Sequence, residues 1–391
     1  MPRKKTTKPT RRRFGAVRQY RSGRWTASYH DLSGKLHRAK ETFETKTDAS
    51  LWLTQVEADL TRGDWFDPDA GAVNFEKYAM RWVNERGVMA TTDELYRRLL
   101  RLHILPTFGR WNLDQINAPM VRSWRTERLG ATGATTVAKS YRLLKAIMET
   151  AVTDEAIRRN PCRIEGAGKE VAEERPVATV DEVFALAEAI GIRWRFMVFL
   201  GAFATLRPEE LAELRRSSVN LTKDTLKIRL ASPELSTGKR VTGPPKTAAG
   251  KRTITLPAFL HTELRQHMAW FAEQEPDGLV FVGEKGKPFR RSTFGRKWRK
   301  ACAKVGMPGF RFYDLRHTGN TLLAESGAST KDLMVRMGHS SYRAAMIYQH
   351  STAKRQRELA EKLDTHVRAE RQDTPEEPEN GASGALVVRP A

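Results

Sequence analysis

The sequence predicts a multidomain chain, mainly α with small β-sheets, and three observations carry that reading. Residues 14–65 alternate apolar and polar in short stretches broken by turn signals, then change to a helical period. Residues 73–165 are helical by their periodicity. Residues 176–363 combine apolar helical stretches with two short strand patterns, an α+β block.

Residues 1–13 are basic and rich in Thr and Pro, the composition of a disordered arm. GAVRQY, GRWTASYHD and HRAKETFET follow as three strands, separated by Ser22-Gly23 and Asp31-Leu32-Ser33-Gly34. TKTDASLWLTQVEADLTRG is a helix with Thr45 or Thr47 as cap and Ala49, Leu53, Val56 and Leu60 on one face. The N-terminal module, 14–65, is therefore a three-stranded sheet plus one helix. Its strands carry Arg18, Arg21, Arg24, Arg38 and Lys40 among Tyr20, Trp25 and Tyr29.

DWFDPDAGA, 64–72, reads as a linker, with the domain boundary set at 66–72. In 73–165, Phe75, Tyr78, Ala79 and Trp82 share one helical face. A second helix at roughly 92–104 precedes a break at Pro106-Thr107-Phe108-Gly109, and a third lies near 118–129. The fourth helix carries Val137, Tyr141, Leu144, Met148 and Ala151 on one stripe, with Lys139, Arg142 and Lys145 outside it, and stops near Asn160-Pro161. Residues 166–175 form a second linker. In the last block a capping pattern, Thr179-Val180-Asp181-Glu182, opens a helix, and another runs through WRFMVFLGAFATLR. Strands follow near 225–230 and 251–257, then helices to about 363. Residues 364–391, acidic and proline-bearing, complete the chain as a disordered tail.

Sixty-eight Lys/Arg against 46 Asp/Glu leave a formal charge of +22. Such an excess repels itself in a folded chain and favours a polyanionic partner, nucleic acid first. Ten Lys/Arg precede Asp31, the first acid. Cys162 and Cys302 belong to no CxxC or Cys/His cluster, which excludes a disulfide framework or a local zinc motif and fits a reducing compartment. No apolar run approaches the roughly 18–20 residues of a membrane span, and the N-terminus lacks a signal-peptide core, so a cytoplasmic location is expected.

Five elements bearing basic or nucleophilic residues occur in a set order. They are T-L-R-P-E-E-L with Arg207, P-P-K-T-A-A-G-K-R-T-I-T-L-P with Lys246, Y-D-L-R-H with Arg316, M-G-H-S-S with His339, and Y-Q-H with Tyr348. In this conjunction the chain resembles the tyrosine recombinase, or phage integrase, family, whose catalytic pattern runs Arg, Lys, His-x-x-Arg, His or Trp, then Tyr. The resemblance implies an arm-type DNA-binding module at 14–65, a core-binding helical domain at 73–165 and a catalytic domain at 176–363.

It also implies a chemistry that suits these residue types. A phosphodiester repels nucleophiles because its non-bridging oxygens are negative, and two guanidiniums neutralise that charge with planar paired donors that keep their protons. Arg207 and Arg316 take that role, with His339 as a third donor. Tyr348 attacks phosphorus to give a 3′-phosphotyrosine and a free 5′-hydroxyl, protonated by Lys246 as general acid. Lys251 competes with Lys246, because 231–244 looks like an enlarged hairpin loop. Glu210 supports Arg207 from three residues on, although Arg207 has a plain alternative in pairing with the acids beside it. His317 and His350 are expected to be structural. Tyr313 departs from the family, which usually places His there. With a reference pKa near 10, tyrosine is a poor base at neutral pH, so Tyr313 is expected to orient the phosphate or Tyr348.

The resemblance further implies recombination through a Holliday junction for a phage or mobile element, no metal or cofactor, double-stranded DNA with core-type and arm-type sites, and a homotetramer on that DNA. An excisionase and a host DNA-bending protein are candidate partners. Arg18, Arg21, Arg24 and Arg38, with Lys139, Arg142 and Lys145, are the DNA-contact candidates, and Leu359 and Leu363 are available to dock on a neighbouring subunit. A type IB topoisomerase and a catalytically silent DNA-binding protein of the same fold are the alternatives.

Overall fold

The computed structural model describes residues 13–170, 175–338, 340–342, 346 and 353–372. Residues 1–12 of the basic arm and 373–391 of the tail lie outside these. The chain divides into two compact units, Met1–Ala172 and Glu173–Ala391. Among the described residues no helix is long and apolar enough to cross a membrane.

The first unit opens with the expected sheet, β1 (Ala16–Gln19), β2 (Trp25–His30) and β3 (Leu36–Arg38), antiparallel in the order β1-β2-β3. Gly23 and Gly34 adopt the positive φ that the two turns require. Helix α1 (Lys46–Arg62) starts on Thr45, whose hydroxyl accepts from the Asp48 N–H, and ends on left-handed Gly63. Ala49 and Leu53 from α1 bury against Ala27 and Tyr29 of β2, with Val56 and Leu60 partly buried beside them. The other face of the sheet stays open. Arg18 is paired with Thr26 and Arg38 with Ser28, so both arginines stand on the face opposite Ala27 and Tyr29.

A separate core holds the helical part: α2 (Phe75–Glu85), α3 (Ala90–Leu99), α4 (Leu105–Phe108), α5 (Ala118–Ala131) and α6 (Ala134–Thr153). Phe75, Tyr78, Ala79 and Trp82 are buried, as their shared face required. Two boundaries differ from expectation. A π-helical stretch, Leu100–Ile104, carries α3 into α4, and Pro106 sits in the first turn of α4, where a missing N–H costs nothing. Helix α6 ends at Thr153, well before Asn160-Pro161; Glu155 turns left-handed there and Asn160 bonds back to the Lys145 carbonyl. The linker after α1 is packed: Trp65 donates to the Tyr29 hydroxyl at 2.8 Å, and a Cβ on Gly71 would stand 2.6 Å from Asp114 Cβ.

The second unit holds α7 (Val180–Ile190), α8 (Ile192–Phe203), α9 (Pro208–Leu211), β4 (Val219–Asn220), β5 (Thr225–Ile228), β6 (Arg252–Thr255), α10 (His261–Trp270), α11 (Arg291–Lys304), α12 (Asp314–Glu325), α13 (Thr330–Met337) and α14 (Ala353–Gln372). The Thr179/Glu182 capping box forms as expected. The strands make a sheet β4-β5-β6; the two-residue β4 has too short an alternation to show in the sequence. Helix α8 stops at Phe203, short of the predicted end, because Thr205 takes a left-handed φ of 53°. The 231–244 segment is a pinned hairpin extension, bridged at Ala231/Gly243 and Glu234/Arg240 and turned at Gly238. The expected disordered tail begins too early: residues 364–372 continue α14, supported by i,i+4 pairs Arg368–Asp364 at 2.8 Å and His366–Glu370 at 3.5 Å.

Candidate active site

The site is assembled where α8, α12 and α13 meet β6. Helix α12 lies hard against the end of α8: a Cβ on Gly319 would fall 1.6 Å from the Ala202 carbonyl oxygen. Only glycine permits that approach. It brings Arg316, three residues earlier on α12, to the strained turn at Thr205, whose carbonyl accepts from one terminal nitrogen of the guanidinium. The other terminal nitrogen donates to the Met337 carbonyl at 2.5 Å. Arg316 is 1 % exposed.

Arg207 follows the same turn. It precedes α9, where Pro208 occupies the first helical position and Glu210 the third. Glu210 accepts from the Arg207 backbone N–H at 2.9 Å and from its guanidinium at 2.8 Å, while the far end of that guanidinium donates to the Gly338 carbonyl at 3.4 Å. Gly338 closes α13 with φ 64°, and a Cβ there would meet Ala249 O at 2.7 Å. Two arginines 109 positions apart are thus seated on the neighbouring carbonyls of Met337 and Gly338, immediately before His339.

The arginine that sequence reasoning missed is Arg252. Both its terminal nitrogens donate to Glu210, Nη1 also donates to Gly250 O at 3.1 Å, and Nε donates to the Arg336 carbonyl at 2.7 Å. The signal was present: Arg252 alternates with Ile254 and Leu256, all three buried, so it faces inward on a strand whose other neighbours are apolar. Glu210 therefore serves as a shared buried anchor for two guanidiniums. The reading of Arg207 as paired with its neighbouring acids is also realised, through that same residue.

Charge follows geometry. Burial opposes ionisation of Glu210, yet Arg252 and Arg207 hold it below the usual carboxylate range. Burial likewise acts against Arg207, but Glu210 and the side chain of Tyr313 raise its pKa overall. Arg316 is pulled down to about 10 by burial and then by the like charge of Arg207, which leaves it ionised at neutral pH. With Glu210 committed to Arg207 and Arg252, this corner keeps a positive field suited to a bound anion.

Tyr313 sits just before α12, 42 % exposed, with its ring edge-on to His317 at 5.6 Å. Both Arg207 and Arg316 lie within its electrostatic reach. His317 is partly buried, and that burial lowers its pKa. Lys246 and Lys251 are both exposed and flank the Ala248–Gly250 turn that Gly338 touches. His339, Tyr348 and His350 lie outside the described residues, as does the side chain of Leu359; Leu363 is exposed.

The DNA-contact candidates separate. Arg18, Arg21 and Arg38 are exposed. Arg24 folds onto Thr42, donating at 2.5 and 2.6 Å, and Lys40 donates to Pro68 O at 2.7 Å. On α6, Arg142 pairs with Glu170 and Lys139 approaches the same carboxylate at 3.5 Å, while Lys145 is exposed.

Residues 13–62 match the N-terminal domain of phage integrases, and residues 177–355 match the phage integrase family. A putative prophage phiRv2 integrase of Mycobacterium tuberculosis is 38% identical over 364 residues, covering 91% of this chain and 96% of the relative. The integrase of Mycobacterium phage D29 is 33% identical over 366 residues, covering 90% and 97%. Among solved structures, the Tn1549 transposon integrase in complex with a circular intermediate DNA aligns with a TM-score of 0.66 at 20% identity, covering 74% of this chain and 99% of that one. A lambda integrase dimer bound to a COC′ core site aligns at 0.56 and 17% identity, covering 87% and 96%. These last two share the fold. With both family matches and relatives that run nearly its whole length, the chain belongs to the phage integrase family and is a tyrosine-type site-specific DNA recombinase.

Proposed function

We propose that the recombinase cuts and rejoins DNA without a metal, using Arg207 and Arg316 as the clamp on the scissile phosphate. The observation that carries this is the seating of both guanidiniums on the adjacent Met337 and Gly338 carbonyls, with Glu210 committed to Arg207 and Arg252. An anion entering there meets donors already fixed in place, so little reorganisation accompanies the build-up of charge on the phosphate. His339, next along the chain, adds a donor. The Tyr348 hydroxyl attacks phosphorus, the bond to the 5′-oxygen breaks, and Lys246 protonates that oxygen. Attack by the 5′-hydroxyl of a partner strand reverses the chemistry and releases the tyrosine. The phosphotyrosine linkage conserves the bond energy, so no nucleotide is consumed. Tyr313 orients the phosphate or the attacking phenol, and Glu210 positions Arg207 and Arg252.

The division of labour follows the expected domains. The open sheet face with Arg18 and Arg38 lies against arm-type DNA, 73–165 grips core-type DNA, and 176–363 carries the chemistry. Four subunits assemble on two duplexes, exchanging strands through a Holliday junction to integrate or excise a mobile element in the cytoplasm of a bacterial host. An excisionase and a DNA-bending protein set the direction.

The decisive test is a nicked suicide duplex carrying the attachment core. Wild type is expected to accumulate a covalent protein–DNA adduct and Tyr348→Phe none. An adduct in that variant, or none in wild type bound to its own site, overturns the assignment. Strand exchange between two sites distinguishes recombination from topoisomerase-like relaxation.

A further inference from the structure

We propose that the N-terminal module carries a divalent-cation site of the zinc type, formed by His37, Asp67 and Asp69. His37, on β3, is 2 % exposed. Its Nε2 stands 2.8 Å from Asp31 Oδ2, a separation at which the imidazole donates its proton there. In the neutral ring that bond leaves Nδ1 as the lone-pair nitrogen. Nδ1 is buried with no hydrogen-bond partner.

What faces Nδ1 is not a donor. Asp67 Oδ1 lies at 3.7 Å and Asp69 Oδ2 at 3.9 Å. Three electron-rich atoms directed at one point repel unless a cation lies among them, and these separations are too long for direct hydrogen bonds. All three ligand atoms fall within 4.8 Å of one another. Donors around a tetrahedral zinc ion stand roughly 3.3 Å apart, so both aspartates must draw in on Nδ1 by about half an ångström, and closer to each other, for a metal to be held.

The surroundings have the form that metal sites use. A carboxylate on the far nitrogen of the histidine, here Asp31, fixes the tautomer and strengthens the ligand. Each aspartate gives one oxygen to a lysine and turns the other toward Nδ1: Lys35 holds Asp67 Oδ2 at 2.9 Å, Lys40 approaches Asp69 Oδ1 at 3.6 Å, and Asp67 Oδ1 also accepts from the Asp69 N–H at 2.8 Å, leaving its second lone pair for a cation. One imidazole with two carboxylates favours zinc or manganese over calcium or magnesium, which prefer all-oxygen shells. The lysines compete for the carboxylates and moderate the affinity. Because Asp67 and Asp69 belong to the linker after α1, occupancy ties that linker to the sheet.

The test is calorimetric titration of the chelator-stripped full-length protein with Zn2+ at neutral pH. The expected result is one saturable site per chain. Asp69→Asn, a change at an exposed position of the linker, should weaken it at least about tenfold, and Asp31→Asn by about 10- to 100-fold through the histidine. Both variants should keep the wild-type circular dichroism. His37→Gln should abolish the site. Wild type without saturable binding shows that the cluster holds only a proton and overturns the proposal. Asp69→Asn binding as tightly as wild type overturns it as well.

Discussion

Arg252 grips Glu210 with both terminal nitrogens, each at 2.9 Å from a different carboxylate oxygen, and both side chains are buried. The pair ties β6 to the turn that presents Arg207. Glu210→Gln leaves Arg252 as a buried cation without its counter-charge, a class of change that destabilises by about 3–5 kcal/mol. We expect a lower urea midpoint for the second unit and slower cleavage. The acid limb should change too. A carboxyl held below its ordinary 4.5 contributes stability that is present above that pH and is lost as pH falls through the folded value. Melting temperatures followed below pH 4.5 should show that component in wild type and not in Glu210→Gln.

Arg316→Lys keeps a charge but loses the planar fork that spans the Thr205 and Met337 carbonyls. Covalent capture on a suicide duplex should fall by roughly 100-fold or more, with DNA affinity much less affected. Equal losses in binding and capture would instead mark Arg316 as a general DNA contact.

Tyr313→Phe removes a hydroxyl within electrostatic reach of Arg207 and Arg316. Losing a single orienting hydrogen bond is worth about 1 kcal/mol, so cleavage should slow by roughly five- to tenfold. A phenylalanine variant as fast as wild type removes Tyr313 from the site.

His267 is a buried neutral imidazole bonded to the Val280 carbonyl at 2.9 Å, and burial lowers its pKa to about 4. The unfolded chain takes up a proton below about 6.5, whereas the folded one resists until about 4. Stability should therefore fall between those values, by about 3 kcal/mol, and level off below them. His267→Gln should flatten the pH 4–6.5 portion of a denaturant-midpoint profile.

Arg18 and Arg38 share the open sheet face. Replacing both with Ala should weaken binding to arm-type DNA and lower the salt slope of log K by about 2, since each phosphate contact contributes about 0.9. An unchanged slope would place the DNA elsewhere on the module.

Much of this was legible in the sequence because it rests on local pattern. Thr179 was found as a cap and Thr45 as one of two candidates with Thr47, the stripe on α6 became core, and Arg207 was placed at a turn after an apolar helix. The boundaries that failed were set by tertiary contact. Pro106 was read as a break, but the helix runs through it because a first turn needs no donor from that residue. The π-helical stretch has no periodic signature of its own. Arg252 was overlooked for Lys246 and Lys251: its alternation with Ile254 and Leu256 marks it as inward-facing, but what it holds shows only once its partner, 42 positions away, is in place. Lys139 and Arg142 looked free on the helix and are paired to Glu170 across a fold-back that no spacing rule anticipates.

Main-chain oxygens, at Thr205, Met337 and Gly338, hold the two clamp arginines at their outer ends. Such oxygens are the same whatever side chain hangs from the residue, so the grip itself reads the backbone and not the letters at Thr205 and Met337. What cannot vary is the path of the chain, enforced by Gly319 and Gly338. A grip wired to the main chain tolerates drift in the letters around it for as long as the fold persists, and that fold is shared with integrases of 17–20% identity.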